Sequence, residues 1–410
     1  MTDVRGFYER HPYPAPPKDL HHLESLYRDP MRRRVMFHTL WPSLTYQAVR
    51  MILVAGCGTS QAAAIALREP EARVVGIDIS EASLSHTQKL QKTHGIANLE
   101  LHRLPIERVG ELNQNFDQII CTGVLHHLSD PEQGLKALRD VLKPHGAMQL
   151  MVYAFYGRSG LYMLQDYCRL LGIGSSDQEL QQLSETLQAL PPQHPLASVM
   201  STSKDFLHPD ALADALLHPQ DHAYTVPQVQ AWLDRCGVRF GRWVDQAPYL
   251  PQCGALAATP HAALLGRLPA PAQHAAVELW RGTITKHHFT AYRQDGGAEL
   301  PWDPFDSKPS SRRRHHWHHL IPMRVPWTVT VRERLPAGAV AVLINRAHTF
   351  PDLILPVDKD QDRLLSAIDG ERNLAEIVGS CATAISEKRA LSFFKKLWQY
   401  DQVVFDASLV

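Results

Sequence analysis

The chain has 410 residues, more than one hydrophobic core usually holds, so two domains are expected. Lysine plus arginine equal aspartate plus glutamate at 42 each, which excludes a net field favouring nucleic acid, a membrane surface or an acidic partner. With 44% hydrophobic and 20% charged residues the composition is that of a soluble globular protein, and a small-molecule substrate is favoured.

The six cysteines, Cys57, Cys121, Cys168, Cys236, Cys253 and Cys381, contain no C-x-x-C pair. That speaks against disulfides or a zinc ribbon and fits a reducing cytoplasm. The 23 histidines add positive charge only below about pH 6.5. The opening MTDVRGFYERHPYP lacks the apolar core of a signal peptide, and no run of 18 apolar residues occurs, so neither export nor a membrane span is expected.

Residues 1–45 read as an N-terminal arm. HPYPAPP at 11–17 is too proline-dense for a helix or an interior strand, so the arm is expected to be extended, with a helix near 29–41. From residue 51 a regular alternation begins. Apolar runs at 51–55, 72–77, 98–103, 117–122 and 147–155 read as strands separated by helix-like spacers, the pattern of an α/β fold with a parallel sheet.

Asp130 and Pro131 can cap and start a helix carrying Leu135, Leu138, Val141 and Leu142 on one face, with Lys143 to Gly146 ending it. Residues 156–222 then form a helical insertion, placed where it could cover the C-terminal edge of the sheet. Thr225 and Gln228 have capping-box spacing. Val229, Trp232, Leu233 and Cys236 make a helix face, and Gly237 stops that helix before a strand.

KHHFTAYR at 286–293 reads as the last strand of a domain spanning 46–295. Residues 296–330 shift in composition to a linker, and 331–410 form a small α+β domain. Leu364, Leu365 and Ile368, then Leu374 and Ile377, then Leu391, Phe394 and Trp398 mark its helices before a strand-like QVVF.

The first strand runs into Gly56-Cys57-Gly58 and a helix opening at Gln61. Glycines there let backbone N–H groups approach a ligand at the positive end of the helix. The second strand ends at Asp78, twenty residues beyond Gly58. An acid at that place can accept hydrogen bonds from both hydroxyls of a ribose, and the parallel sheet sets it beside the glycine turn. A dinucleotide site is the nearest competitor, but GCGTSQ lacks the third glycine of that pattern.

ILVAGCGTS, VVGIDIS, LPIERV and FDQIICTGVLHHLSDPEQGLKALRDVLKPHGAMQLMVY, in this order, resemble the motifs of class I S-adenosylmethionine-dependent methyltransferases. The resemblance implies a Rossmann-like class I methyltransferase sheet with S-adenosylmethionine as cofactor. Ala55, Gly56, Cys57 and Gly58 would border the methionine part and ribose. Asp78 would bind the ribose hydroxyls, Ile79 would lie against the adenine face, and Leu104 with Pro105 near the adenine edge. Thr122 and Gly123 would pass beside the sulfonium. Two positions depart from the family: Val54 stands where an acid is common and Ser60 where glycine is common, which bears on how the methionine end is held.

Methyl transfer from a sulfonium is an in-line displacement, so catalysis is mostly positioning, with a base required only for a protonated nucleophile. His126 and His127, after the fourth strand, could serve as base or stabilise a thiolate; packing of the loop is the alternative. Tyr153, Tyr8 and Tyr13 could line or close the pocket, with the arm acting as a lid. No [DN]-P-P-[YFW] follows the fourth strand, which argues against base amino groups of nucleic acid as acceptors.

RRRHHWHH at 312–319 reads as a solvated linker, and no metal site is assigned. The C-terminal stretch weakly resembles small winged-helix or PqqD-like domains that bind peptides or partner proteins. A small thiol or hydroxyl acceptor is the expected substrate, a peptide or protein acceptor or a non-catalytic cofactor-binding protein the alternatives, and a homodimer a further partner state.

Overall fold

The computed structural model describes residues 4–11, 15–27, 29–202, 208–297, 303–305, 316–381 and 385–410. Two compact units interleave along the chain. Met1–Ser25, Val49–Arg239 and Arg281–Ala298 form the first; Leu26–Ala48, Phe240–Trp280 and Glu299–Val410 form the second. Sequence boundaries run contiguously, with 46–295 as one block, whereas packing assigns 240–280 to the second unit.

A sheet of seven strands carries the first unit, and residues 240–243 of one strand are counted in the second. They are β1 (Met51–Ala55), β2 (Arg73–Asp78), β3 (Leu99–Arg103), β4 (Phe116–Thr122), β5 (Leu142–Tyr153), β6 (Val238–Trp243) and β7 (Lys286–Arg293). Their spatial order is β3-β2-β1-β4-β5-β7-β6. β1 pairs in parallel with β2 and β4, β2 with β3, and β4 with β5, while β7 runs antiparallel to β5. This order brings the C-terminal ends of β1, β2 and β4 together, the place where open parallel sheets bind ligands.

The central strands are buried on both faces, which is why they read as unbroken apolar runs. Ile52, Leu53, Val54 and Ala55 are all fully buried, as are Val74, Val75 and Ile77 on the neighbouring strand. Helix Gln61–Arg68 follows β1 and packs Ala62, Ile65 and Ala66 into the same core. Helix Glu81–Thr93 follows β2, with Ser80 Oγ accepting from Ser83 N at 3.2 Å as its cap.

Helix Pro131–Asp140 is capped by Asp130, whose carboxylate accepts from Gln133 N at 2.9 Å. It ends earlier than its apolar spacing suggests. Val141 is its C-cap, and Leu142 already pairs with Phe116 as the first residue of β5. The ladder then shifts register and resumes at Ala147 opposite Gln118, so Lys143 to Gly146 bulge out of the pairing where Pro144 has no N–H to give.

The arm differs from the extended segment expected. Val4–Arg10 and His21–Tyr27 are helices, because the prolines that forbid helix begin only at residue 12. The helix near 29–41 is present as Pro30–Leu40, capped by Asp29.

The insertion folds as helices Ser159–Leu171, Asp177–Gln188, Pro195–Thr202 and Pro209–Leu217. They enclose a core of their own built on Leu161, Leu164, Cys168, Leu183, Leu187 and Leu212. The arm helix packs against it through Phe7, which shares a cluster with Leu180 and Ala213. Helix Val226–Arg235 carries the expected capping box of Thr225 and Gln228, and Gly237 takes φ +66° before β6.

The second unit holds β8 (Ile321–Arg324), β9 (Thr328–Val331), β10 (Ala341–Asn345), β11 (Ile354–Val357) and β12 (Val403–Asp406). β11, β10 and β9 form an antiparallel sheet, and β12 pairs antiparallel with β8. β8 and most of β9 fall inside the stretch read as linker, because β8 is recruited by β12, a partner 80 residues away in the chain. Helices Lys359–Ser366, Leu374–Ser380 and Glu387–Gln399 bury Leu364, Leu365, Leu374, Ile377, Phe394 and Trp398, as their spacing implies; Leu391 is only half-buried. All six cysteines are free thiols, and no helix among the described residues is long and apolar enough to cross a membrane.

Candidate functional site

A cavity of about 490 Å³ opens at the C-terminal edge of the sheet in the first unit. This is within the range of small-molecule sites. One wall is the glycine turn after β1. Gly56 N and Cys57 N both donate to Ile77 O, at 2.9 and 3.0 Å, which ties the turn to the end of β2. Gly56 has φ +69°, and a Cβ there would come within 2.4 Å of Val124 Cγ2, so only glycine fits between the turn and the loop after β4. Val54 offers no carboxylate near the end of β1, and the turn is held by these two bonds to β2.

Asp78 lies beside that turn, as its spacing implies. Its Oδ2 accepts from Gly58 N at 2.8 Å and its Oδ1 from Ser80 N at 2.9 Å, so each oxygen keeps lone pairs for a ligand. Burial raises its pKa above the usual aspartate range, opposed by those backbone N–H groups. Burial likewise pushes the Cys57 thiol well up, with the Asp78 charge adding to it, so Cys57 is an un-ionised wall residue.

Ile79, Leu104, Thr122 and Gly123 complete this side. Gln61 Nε2 donates to Thr122 Oγ1 at 2.7 Å, pinning the end of β4 to the first turn of the helix after β1. Of the residues singled out from sequence, Ala55 and Pro105 do not line the cavity. Ala55 is buried at the end of β1, and Pro105 precedes the short turn Ile106–Leu112.

The opposite wall is built from His127, Tyr153, Tyr8, Asp214 and Arg158. His127 Nδ1 lies 2.8 Å from Gln220 O, an acceptor only, so it carries the proton and leaves Nε2 with a free lone pair. Burial lowers its pKa to about 4, keeping the ring neutral. His126 faces away from the cavity. It is fully buried, packs on Tyr153 at a centroid distance of 3.9 Å, and neither of its ring nitrogens has a hydrogen-bond partner among the described residues. These surroundings match the packing alternative. Tyr13 lies outside the described residues.

Tyr8 enters from the arm helix, and its hydroxyl donates to Asp214 Oδ1 at 3.0 Å, across 206 residues of chain. Burial, reinforced by the Asp214 charge, raises its pKa well above the phenolic value. The arm is fastened by more than this contact. Glu9 accepts from Glu81 N at 2.8 Å and Ala82 N at 3.2 Å, at the start of the helix after β2, and His11 Nδ1 meets Asp210 Oδ1 at 2.9 Å. Sequence reading missed Gln61, Asp214, Arg158 and Glu9. Their partners are remote in the chain, and no local spacing marks them.

His127, Asp214 and His218 bring three potential metal donors within 4.8 Å of one another. The hydrogen bonds argue against a cation there. Gln220 N donates to His218 Nδ1 at 3.1 Å, so a neutral His218 carries its proton on Nε2 and cannot ligate through that atom. The cluster of His21, Glu24 and His94, in which only His21 is exposed, fails similarly, since His94 Nε2 accepts from Leu20 N at 2.9 Å. Of RRRHHWHH, residues 312–315 lie outside the described residues, and His318 Nε2 contacts Glu387 Oε1 at 2.8 Å.

Residues 53–148 match the family described as a methyltransferase domain. The matched stretch is the parallel part of the sheet, from β1 into β5. The chain is 31% identical over 211 residues to an uncharacterized protein of Synechococcus sp., covering 49% of this chain and 50% of that one. It is 31% identical over 100 residues to a ubiquinone biosynthesis O-methyltransferase of Acinetobacter baylyi, covering 24% and 42%. The chain therefore spans half or less of these curated relatives.

Among solved structures, PKMT2 from Rickettsia typhi shares the fold with a TM-score of 0.62 at 16% identity, over 91% of this chain and 73% of that one. The same protein has also been solved in complex with AdoHcy.

Proposed function

We propose that this protein transfers a methyl group from S-adenosylmethionine to an oxygen or sulfur of a small acceptor. The observation carrying this reading is that one cavity holds both the Gly56–Asp78 wall and the His127, Tyr8 and Tyr153 wall. The residues fit the cofactor. Gly56, at φ +69°, lets the turn lie directly against Val124, and Asp78 presents a half-buried carboxylate with lone pairs left beyond its backbone bonds to Gly58 and Ser80. When bound, the cofactor supplies an electrophilic methyl group on a sulfonium.

The protein's own part is positioning. Asp78 holds the ribose hydroxyls, Ile79 and Leu104 cover the adenine, and Thr122, fixed by Gln61, borders the sulfonium. His127 Nε2, with its free lone pair, would take the proton of the acceptor hydroxyl or thiol that receives the methyl group. Tyr8, held by Asp214, closes the site and excludes water.

A folded second unit with its own core supports a second reading, a peptide or protein acceptor recognised by that PqqD-like region. Calorimetry with S-adenosylhomocysteine tests the cofactor first, and a folded protein that binds none rejects the enzymatic reading. S-adenosylhomocysteine should then accumulate from S-adenosylmethionine with a member of a panel of thiols, phenols and carboxylic acids. Turnover with peptides alone would favour the second reading.

A further inference from the structure

The methyl-transfer reading above, on which this inference rests, leaves one cation of the cavity without a task. Arg158 follows β5, is 9% exposed and lines the cavity. Its guanidinium carbon sits 3.5 Å from the centroid of the Tyr153 ring, so one face of the group is covered by the aromatic ring. Its edges are not satisfied. Among the described residues Nε and Nη2 have no partner in full hydrogen-bond geometry, although the Tyr162 hydroxyl is near enough to help raise the Arg158 pKa.

Asp221 Oδ2 forms an ion pair with Nη2 at 3.6 Å, too long for a hydrogen bond, and accepts from Gln165 Nε2 at 3.3 Å, so the charge is partly balanced while the donors stay open. A buried guanidinium with open donors is costly unless something charged or polar fills them. Lys286, the residue opposite Tyr153 across β5 and β7, adds a second cation to the cavity lining.

We propose that Arg158, with Lys286, forms an anion subsite and that the methyl acceptor carries a carboxylate or phosphate group. The planar fork of an arginine matches two oxygens of such a group, and the tyrosine beneath it fixes the plane of that fork. Placement favours the acceptor over the cofactor as the owner of the anion. Asp78 ends β2, whereas Tyr153 ends β5, three strand spacings away in the order β2-β1-β4-β5, on the order of 14 Å. The methionine carboxylate of the cofactor is the other source of the same chemistry.

Two ligand pairs separate the sources. S-adenosylhomocysteine carries the amino-acid carboxylate, and 5′-methylthioadenosine lacks it. Arg158→Gln is expected to change the affinity for either by less than about twofold. In protein saturated with S-adenosylhomocysteine, benzoate should bind more tightly than benzamide by about tenfold or more, with the preference abolished by Arg158→Gln and reduced by Lys286→Gln. Arg158→Lys, which keeps the charge, should retain part of it and serves if the glutamine variant does not fold.

Weaker binding of S-adenosylhomocysteine with unchanged 5′-methylthioadenosine would assign Arg158 to the cofactor and overturn the proposal. So would wild-type protein that binds benzoate and benzamide equally, or neither. Failure to bind S-adenosylhomocysteine at all would instead reject the methyltransferase reading, and the benzoate–benzamide comparison on the unliganded protein would still decide the subsite.

Discussion

Gly56, Gly58, Asp78, Thr122 and Gly123 stand at the ends of three neighbouring parallel strands, whereas Tyr8, Arg158, Asp214 and His127 come together from an arm, a turn, an insertion and a loop. The first wall of the cavity is set by strand register. Once β1 pairs with β2 from Met51 opposite Arg73 to Ala55 opposite Ile77, the turn and Asp78 are side by side. The second wall depends on packing between segments as far apart as Tyr8 and Asp214. A wall set by register resists substitution, whereas a wall set by packing can vary without loss of the fold; in the proposed reaction the first serves the cofactor and the second the acceptor.

Exchanging Asp78 for alanine should break the first wall with the largest effect. It removes the ribose acceptor and leaves Gly58 N unpaired in a buried site. S-adenosylhomocysteine affinity should fall about a hundredfold, on the order of 3 kcal/mol, by calorimetry. The opposite wall should respond in turnover instead. His127→Gln is expected to lower kcat by about tenfold to a hundredfold while cofactor affinity changes little. Equal losses in both quantities would mean that the two walls are not separable.

Acid should act mainly on the second wall. Burial holds His127 at about 4 and His218 at about 3, against 6.5 for the unperturbed group. Between those values and pH 6.5 the unfolded chain binds the additional protons. The stabilisation is therefore fully present above pH 6.5 and is lost as pH falls toward 4. At pH 5.5 the loss is on the order of 1 kcal/mol for each histidine, visible as a lower Tm, and His218→Gln should remove part of that slope. Asp78 shifts in the opposite direction, so cofactor affinity should also weaken on acidification, and Asp78→Asn should flatten that dependence.

The smallest effect is expected at the arm. Glu9→Gln removes the charge that caps the helix Glu81–Thr93 from outside it, worth about 1 kcal/mol. Limited proteolysis of residues 1–17 should then proceed faster in the variant than in the wild type, with the sheet core intact.

β1, β2 and β4 were legible because strands buried on both faces are largely apolar, and 51–55 was placed to the residue, whereas β3 buries only Leu99 of its five residues. The arm helices were less so. Their short segments sit beside a proline-dense stretch, and Phe7 reveals its apolar role only against Leu180 and Ala213. β8 was hidden for a similar reason, since its pairing partner is β12 and its own four residues carry no turn or period that marks a strand. His126 and His127 are adjacent and chemically identical in the sequence; the structure turns one into the cavity and the other against Tyr153.

What the sequence determined by itself was the local chemistry: a glycine turn, an acid at the next strand end and a strand–helix alternation that implies a parallel sheet. These follow from sterics and strand pairing over short distances. What only the tertiary structure decided was which distant groups face the same cavity, among them Asp214 beneath Tyr8 and the open donors of Arg158. Burial and long-range packing select those partners, and neither is written in the spacing of residues along the chain.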